Sequence, residues 1–212
     1  MTTTSQKGGY ISQAWLVILL AVIYGGALAG VQTALGPIIE KNKKNETLSK
    51  VPQLVEGAAR ELTVEVELAD ADGNRQTVYQ AFADDGEKTL KGWILPAGGQ
   101  GFADRIEVLI GLDPDASVIT GLYVLDQKET PGLGNFITDE ELFLNQFAGK
   151  SANQPLEVST TDPVVGNQIR ALTGATISSD SVAKIVNRAI AAYQQPLRRE
   201  RAAATERNEK KD

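Results

Sequence analysis

Residues 14–35 (AWLVILLAVIYGGALAGVQTAL) form an unbroken apolar run, and no charged residue falls between Lys7 and Glu40. A helix of roughly 20 apolar residues is long enough to cross a bilayer, so the run predicts one transmembrane helix. Trp15 would sit at one membrane interface, and Gly25, Gly26 and Gly30 would present a small-residue face, the last two at GxxxG spacing. A cleaved signal peptide and a buried core helix are the other readings of such a run. Ala27 and Ala29 imitate a small-x-small cleavage site, but the apolar pattern continues past them.

Further along, the period changes from continuous to alternating. Leu62, Val64, Val66 and Leu68 alternate with polar residues, Asp72-Gly73 offers a turn, and residues 78–82 resume the extended pattern, which predicts a hairpin. Residues 93–95 form a short strand candidate. Ile106, Val108, Ile110 and Leu112 alternate again up to the turn at Asp113-Pro114-Asp115, and residues 117–125 complete a second hairpin. Thr138 followed by Glu141 has capping-box spacing for a helix carrying Leu142, Phe143 and Phe147 and stopping near Gly149. Val182, Ile185, Val186, Ala189, Ile190 and Tyr193 recur at helical spacing, with Ser179 or Asp180 as N-cap and Pro196 beyond the end.

These elements predict an α+β fold: a single N-terminal transmembrane helix followed by one domain of antiparallel strands and packed helices. The expected divisions are an N-terminal segment 1–13, the span 14–35, a linker or helical stalk 36–61, the domain 62–196 and a charged tail 197–212. That tail alternates Arg, Glu and Ala and reads as a solvated helical extension or disordered chain.

Composition narrows the chemistry. The chain has no Cys and no His, which removes thiolate and imidazole metal sites, Cys or His nucleophiles and any Ser-His-Asp triad. Its net charge of −6, without a basic stretch interleaved with aromatics, makes nucleic acid an unlikely partner. Around the apolar run, Lys7 precedes it while Lys41, Lys43 and Lys44 follow, and this count alone would place the C-terminal domain in the cytoplasm.

Three glycine-rich stretches interrupt the pattern: 97–102 (AGGQGF), 129–135 (ETPGLGN) and 173–179 (TGATISS). Glycine at such places lets backbone approach a ligand closely. None shows GxGxxG or GxxxxGK[ST] between a strand and a helix, which disfavours NAD and nucleoside triphosphates. The third stretch runs into the last predicted helix, so Thr173, Thr176, Ser178 and Ser179 place hydroxyls beside its free N–H groups and positive dipole end, where a phosphate is stabilised. Gly174 and Ala175 keep that approach clear. The same hydroxyls would equally serve as helix caps, which is the commoner use. The second stretch, with Glu129, Thr130, Pro131, Gly132, Leu133 and Gly134, reads either as a plain rigid turn or as backbone able to cradle a flat heteroaromatic ring.

Residues 127–135 (QKETPGLGN), 98–111 (GGQGFADRIEVLIG) and 173–179 (TGATISS) resemble the FMN-binding domain in the family's own order and spacing, from about residue 92 to residue 193. The plan with one N-terminal helix is most similar to the G component of Rnf-type ion-translocating ferredoxin:NAD oxidoreductases, whose sister is the C component of the sodium-translocating NADH:quinone reductase. The resemblance implies a covalently bound FMN, a phosphoester on Thr176 that makes this a phosphoprotein, and a role as one-electron carrier in an ion-translocating electron-transport complex. It implies cofactor contacts from Thr173, Gly174, Ala175, Ser178 and the stretch Glu129, Thr130, Pro131, Gly132, Leu133 and Gly134, with residues 98–102 shaping the ring pocket. No catalytic side chain and no metal is expected. The implied partners are the other membrane proteins of the complex and a separate flavin transferase working outside the cytoplasm. This outweighs the Lys count and places the domain on the periplasmic side of a bacterial inner membrane, anchored by a single pass. Two positions differ from the family pattern: Arg170 stands where an acidic residue is frequent, and Gln127 where His is frequent. A non-redox anchored protein, such as a pilin-like structural protein or a binding module, would share the plan, but the charged leader and early Glu of a prepilin are missing.

Overall fold

The computed structural model describes residues 9–83 and 89–209; Lys7 with the rest of residues 1–8, residues 84–88 and residues 210–212 lie outside the described residues. The chain divides into two compact units, residues 1–45 and 46–212. Helix α1 (Gly9–Leu54) supplies the whole described part of the first. From Trp15 to Ile39 its large apolar side chains are exposed, among them Trp15 at 59%, Leu20 at 66% and Ile23 at 59%. From Ala14 to Leu54 it is long and apolar enough to cross a membrane, with a mean hydropathy of 2.3 in its most apolar stretch and none of that stretch buried.

The second unit is built on a five-stranded antiparallel sheet in sequential order: β1 (Val64–Ala69), β2 (Arg75–Phe82), β3 (Leu90–Gln100), β4 (Arg105–Leu112) and β5 (Ile119–Asp126). Asp70 shapes the first turn, its Oδ1 accepting the N–H groups of Asp72 and Asn74 at 2.9 and 2.8 Å, while Gly73 takes the positive φ of 84°. Asp113 does the same at the β4–β5 turn, where Oδ1 accepts from Ser117 N at 2.6 Å and Val118 N at 2.8 Å.

Alternation sends the two sets of sheet side chains to opposite faces. On one face Leu95, Ile106, Val108 and Ile110 pack with Val182, Val186 and Ile190 of helix α2 (Thr176–Glu209). On the other, Tyr79, Ala81, Ile94 and Leu109 pack with Val51, Leu54 and Val55 at the end of α1. Thr120 Oγ1 donates to Leu54 O at 2.5 Å and Tyr123 O–H to Glu46 Oε1 at 2.9 Å, fixing that cover.

Three sequence expectations change. The stretch expected as a loop from residue 97 is largely strand: β3 runs through Gly98 and Gly99 to Gln100, and only residues 101–104 turn. Gly99 is needed where it lies, since a Cβ there would meet Cγ1 of the buried Ile185 at 2.7 Å, whereas a Cβ at Gly98 would meet only the exposed, flexible end of Arg105. The helix expected after Thr138 is instead a pair of 3-10 turns, Gly134–Thr138 and Leu144–Gln146. The capping acceptor there is Asp139, whose Oδ1 accepts Leu142 N at 2.9 Å, while the Thr138 hydroxyl turns back to Asn135 O. Finally, α2 starts at Thr176, before Ser179, and passes through Pro196. The amide lost at proline is offset by anchoring on both sides of it. Leu197 is fully buried, Gln194 Nε2 donates to Ala116 O at 2.8 Å, Arg198 Nε donates to Asp115 O at 2.9 Å, and Arg201 pairs with Asp115. A short parallel pair, β6 (Glu157–Ser159) and β7 (Gln168–Arg170), leads the chain to the start of α2.

Candidate functional site

The amino end of α2 is open. Ala175 N donates to Leu172 O at 3.0 Å through a turn in which Gly174 holds φ at 79°, and the first intrahelical bond is Ser179 N to Ala175 O at 3.0 Å. Ala175 therefore occupies the N-cap position, and its methyl group supplies no acceptor for the N–H groups of Thr176, Ile177 and Ser178. The hydroxyls expected as caps are otherwise engaged. Ser179 Oγ, fully buried, donates to Ala175 O and accepts Leu172 N, both at 3.0 Å; Ser178 Oγ, 3% exposed, donates to Glu129 Oε2 at 2.5 Å. Thr173 and Thr176 are exposed, and among the described residues neither hydroxyl has a hydrogen-bond partner.

This helix end opens into a cavity of about 510 Å³, lined by Phe102, Thr130, Leu133, Gly134 and residues 174–178. Its walls carry three apolar side chains left in solvent, Phe102 at 60%, Leu133 at 46% and Ile177 at 58%. The backbone of Leu133 and Asn135 is set by a tight turn, both N–H groups donating to Thr130 O at 3.2 Å and Gly132 taking a φ of 75°. Gly174 makes room for Leu133, because a Cβ on it would lie 2.9 Å from Leu133 Cδ2. Beside Gly134, Asn135 keeps a buried Oδ1 without a partner, which among the described residues is the one such side-chain atom.

Of the residues singled out in sequence, Thr130, Leu133, Gly134, Gly174, Ala175, Thr176 and Ser178 line this cavity together, and Thr173, Glu129, Pro131 and Gly132 do not. Glu129 lies behind the wall, 4% exposed, its Oε1 accepting Ala103 N at 3.0 Å and its own N–H donating to Gln127 Oε1 at 2.6 Å. Gln127 thus has a structural task at the position where the family pattern has His. Arg170 pairs with Asp162 and receives Gln146 Oε1 on its amide at 2.6 Å. Lys128 reaches Asp104 at 3.3 Å on the outer side of the same loops. The Arg105 N–H and then Lys128 hold the Asp104 carboxyl below its ordinary range. Sequence reasoning did not single out Ile177. Its signal was an apolar residue at the second position of an amphipathic helix, out of phase with the buried face.

An apolar slot ending at an uncapped helix terminus suits a flat ring joined to a phosphate. Residues 101–191 match the family profile described as FMN-binding domain. Over that stretch, which is less than half of the chain, the sequence is similar to the FMN-binding domain. It resembles the G component of the Na(+)-translocating ferredoxin:NAD(+) oxidoreductase complex from Acetobacterium woodii, 41% identical over 95 residues, although that match spans 44% of each chain. The G component of an ion-translocating oxidoreductase complex from Methanosarcina acetivorans is 34% identical over 57% of this chain and 61% of its own length. The chain therefore spans about half the length of these two relatives, whereas the corresponding protein from Aliivibrio fischeri is 29% identical over 92% of both chains. The fold is shared with solved structures at low identity. NqrC of Shewanella oneidensis has a TM-score of 0.53 and 24% identity over 62% of this chain and 63% of its own. The C component of the Na(+)-translocating NADH-quinone reductase from Parabacteroides distasonis has a TM-score of 0.56 and 20% identity over 74% of this chain and 94% of its own. The stretches that line the cavity all fall within the matched residues 101–191.

Proposed function

We propose that this chain is the FMN-carrying subunit of an ion-translocating membrane oxidoreductase, with the flavin phosphate esterified to Thr176. One observation supports this most: of the four hydroxyls in TGATISS, only Thr176 is both exposed and on the cavity wall, at the first position of a helix whose N-cap has no side-chain acceptor. An anion at such a terminus is stabilised by about 0.3–1 kcal/mol, and more where partly buried.

When bound, FMN supplies the electron-accepting and electron-donating chemistry, and the protein supplies position and surroundings. The N–H groups of Thr176, Ile177 and Ser178 would hold the phosphate, and Phe102, Leu133 and Ile177 would flank the ring and exclude water from its faces. On this reading the protein is a one-electron relay between the other membrane proteins of the complex, as the resemblance to ion-translocating oxidoreductase components suggests.

On this reading residues 14–35 span the membrane, the flavin domain runs from residue 62 past Pro196 through the buried Leu197 and the anchored Arg201, the charged extension follows it, and the domain faces the periplasm or its equivalent, where a flavin transferase attaches the cofactor. The test is co-expression with a functional transferase, followed by ultraviolet illumination of a denaturing gel. Retained yellow-green fluorescence is expected, and its absence from a band of transferase-competent cells would refute the covalent assignment.

A further inference from the structure

We propose that Glu129 is a positioning residue that locks the three glycine-rich stretches into one cradle, acting through Ser178 and Ala103 rather than on the cofactor itself. This rests on reading the cavity as the FMN site. Each wall comes from a different stretch: Phe102 from the β3–β4 turn, Thr130, Leu133 and Gly134 from the loop after β5, and residues 174–178 from the start of α2. Among the described residues, no strand pairing joins these three segments to one another. The Glu129 carboxylate does. Its Oε1 accepts Ala103 N at 3.0 Å and its Oε2 accepts Ser178 Oγ at 2.5 Å, so the first and third walls are both tied to the second through one side chain.

The space around this carboxylate is shaped for it. A Cβ on Gly101 would fall on Glu129 Oε1, and a Cβ on Gly134 would lie 2.8 Å from Ser178 Oγ and 3.0 Å from Glu129 Cβ. Two glycines thus exclude side chains from the point where the three segments meet. Gln127 Oε1 accepts the Glu129 N–H at 2.6 Å and fixes the backbone that carries the carboxylate. The described partners of the carboxylate are an N–H and an O–H rather than cations, which makes hydrogen-bond geometry its contribution. A carboxylate 4% exposed and missing from the cavity lining has no direct route to a ligand in that cavity.

Geometry and charge separate cleanly at this position. Glu129→Gln keeps both links, because the amide oxygen accepts Ala103 N–H and the amide nitrogen donates to a reversed Ser178 hydroxyl. Glu129→Asp keeps the charge but is one methylene too short to reach both donors. Glu129→Ala loses everything. The protein is produced without transferase, free FMN serves as the probe by flavin fluorescence, and amide hydrogen exchange is read at Ala103 and residues 176–178.

Loss of one strong hydrogen bond corresponds to about a tenfold effect. Glu129→Asp and Glu129→Ala should therefore weaken FMN binding and speed exchange at Ala103 and residues 176–178 by about tenfold each, with sheet amides unchanged, while Glu129→Gln stays within about twofold of the parent. If Glu129→Ala fails to fold, the contrast between Asp and Gln carries the test. Wild-type affinity in a folded Glu129→Asp protein overturns the proposal, and so does a Gln variant impaired as much as Asp. The cofactor reading stands or falls on the in-gel fluorescence of transferase-competent cells, whereas unchanged exchange at Ala103 and residues 176–178 in Glu129→Asp would refute the lock whether or not the parent binds free FMN.

Discussion

Ser178 and Glu129, 49 residues apart in sequence, meet at 2.5 Å between hydroxyl and carboxylate. The contact removes one hydroxyl from the amino end of α2 and joins the ETPGLG stretch to the TGATISS stretch. It also explains why Gly134 has to be glycine: any side chain there would push against both partners.

Gly132 and Gly134 should therefore respond differently to alanine. Gly134→Ala drives a Cβ to 2.8 Å from Ser178 Oγ, an overpacking defect costing about 1–3 kcal/mol. Gly132→Ala meets nothing within 4 Å but must hold a φ of 75°, a backbone penalty of about 1 kcal/mol. Urea unfolding should rank Gly134→Ala as the less stable, and only that variant should also lose cavity order. Equal losses would show that backbone conformation, not the Ser178–Glu129 contact, governs both sites.

Tyr123 gives a pH signature on the other side of the sheet. Burial first, then its hydrogen bond to Glu46, raises its hydroxyl from 10.0 to about 12. The folded state thus favours the neutral phenol, so the contribution is fully present below pH 10.0 and is lost as pH climbs toward about 12. Burial also raises the Tyr193 hydroxyl, so ultraviolet titration should show a late phase from both tyrosines, and Tyr123→Phe should remove its step at about 12. Persistence of the step in Tyr123→Phe would assign it to another tyrosine.

The strands were legible because a strand repeats its face every two residues, and Ile106, Val108, Ile110 and Leu112 keep that period even though Leu109 between them is buried on the opposite face. The glycines of β3 were not legible as strand. At Gly99 the missing side chain makes room for Ile185 of α2, a contact that sequence spacing does not encode. Likewise Pro196 reads locally as a stop, and only the remote bonds of Gln194 and Arg198 to the Asp115–Ala116 turn keep the helix going. At the site, glycine and hydroxyl clusters marked the cavity-forming stretches, whereas the burial of Glu129 emerges only when residues 103 and 178 are brought together.

Sidedness is open to direct measurement. The Lys residues after the apolar run argue for a cytoplasmic domain, and the proposed extracytoplasmic flavin attachment requires the opposite. An alkaline phosphatase fused after Asp212 should be active, and a green fluorescent protein at the same place, exported in unfolded form, should be dark. The reverse pattern would relocate the domain and take the transferase reading with it.

The remaining prediction separates the four hydroxyls of TGATISS. Ser179 is fully buried and Ser178 is held by Glu129, which leaves Thr173 and Thr176 as accessible acceptors of a phosphoester. Thr176 lines the cavity, whereas Thr173 precedes the Gly174 turn and does not. In cells with a functional transferase, Thr176→Ala should abolish in-gel fluorescence and the FMN mass increment, while Thr173→Ala should retain them at least in part. Because Ala175, not Thr176, is the N-cap, no cap bond is lost, and Thr176→Ala should unfold within about 0.5 kcal/mol of the parent. Thr176→Ser is the informative partner, since it preserves a hydroxyl at the first helical position and should accept flavin if position rather than the methyl group selects the site. Covalent FMN mapped by peptide mass to Thr173 or Ser178 in the parent protein would show that exposure at the cavity wall is not what chooses the hydroxyl.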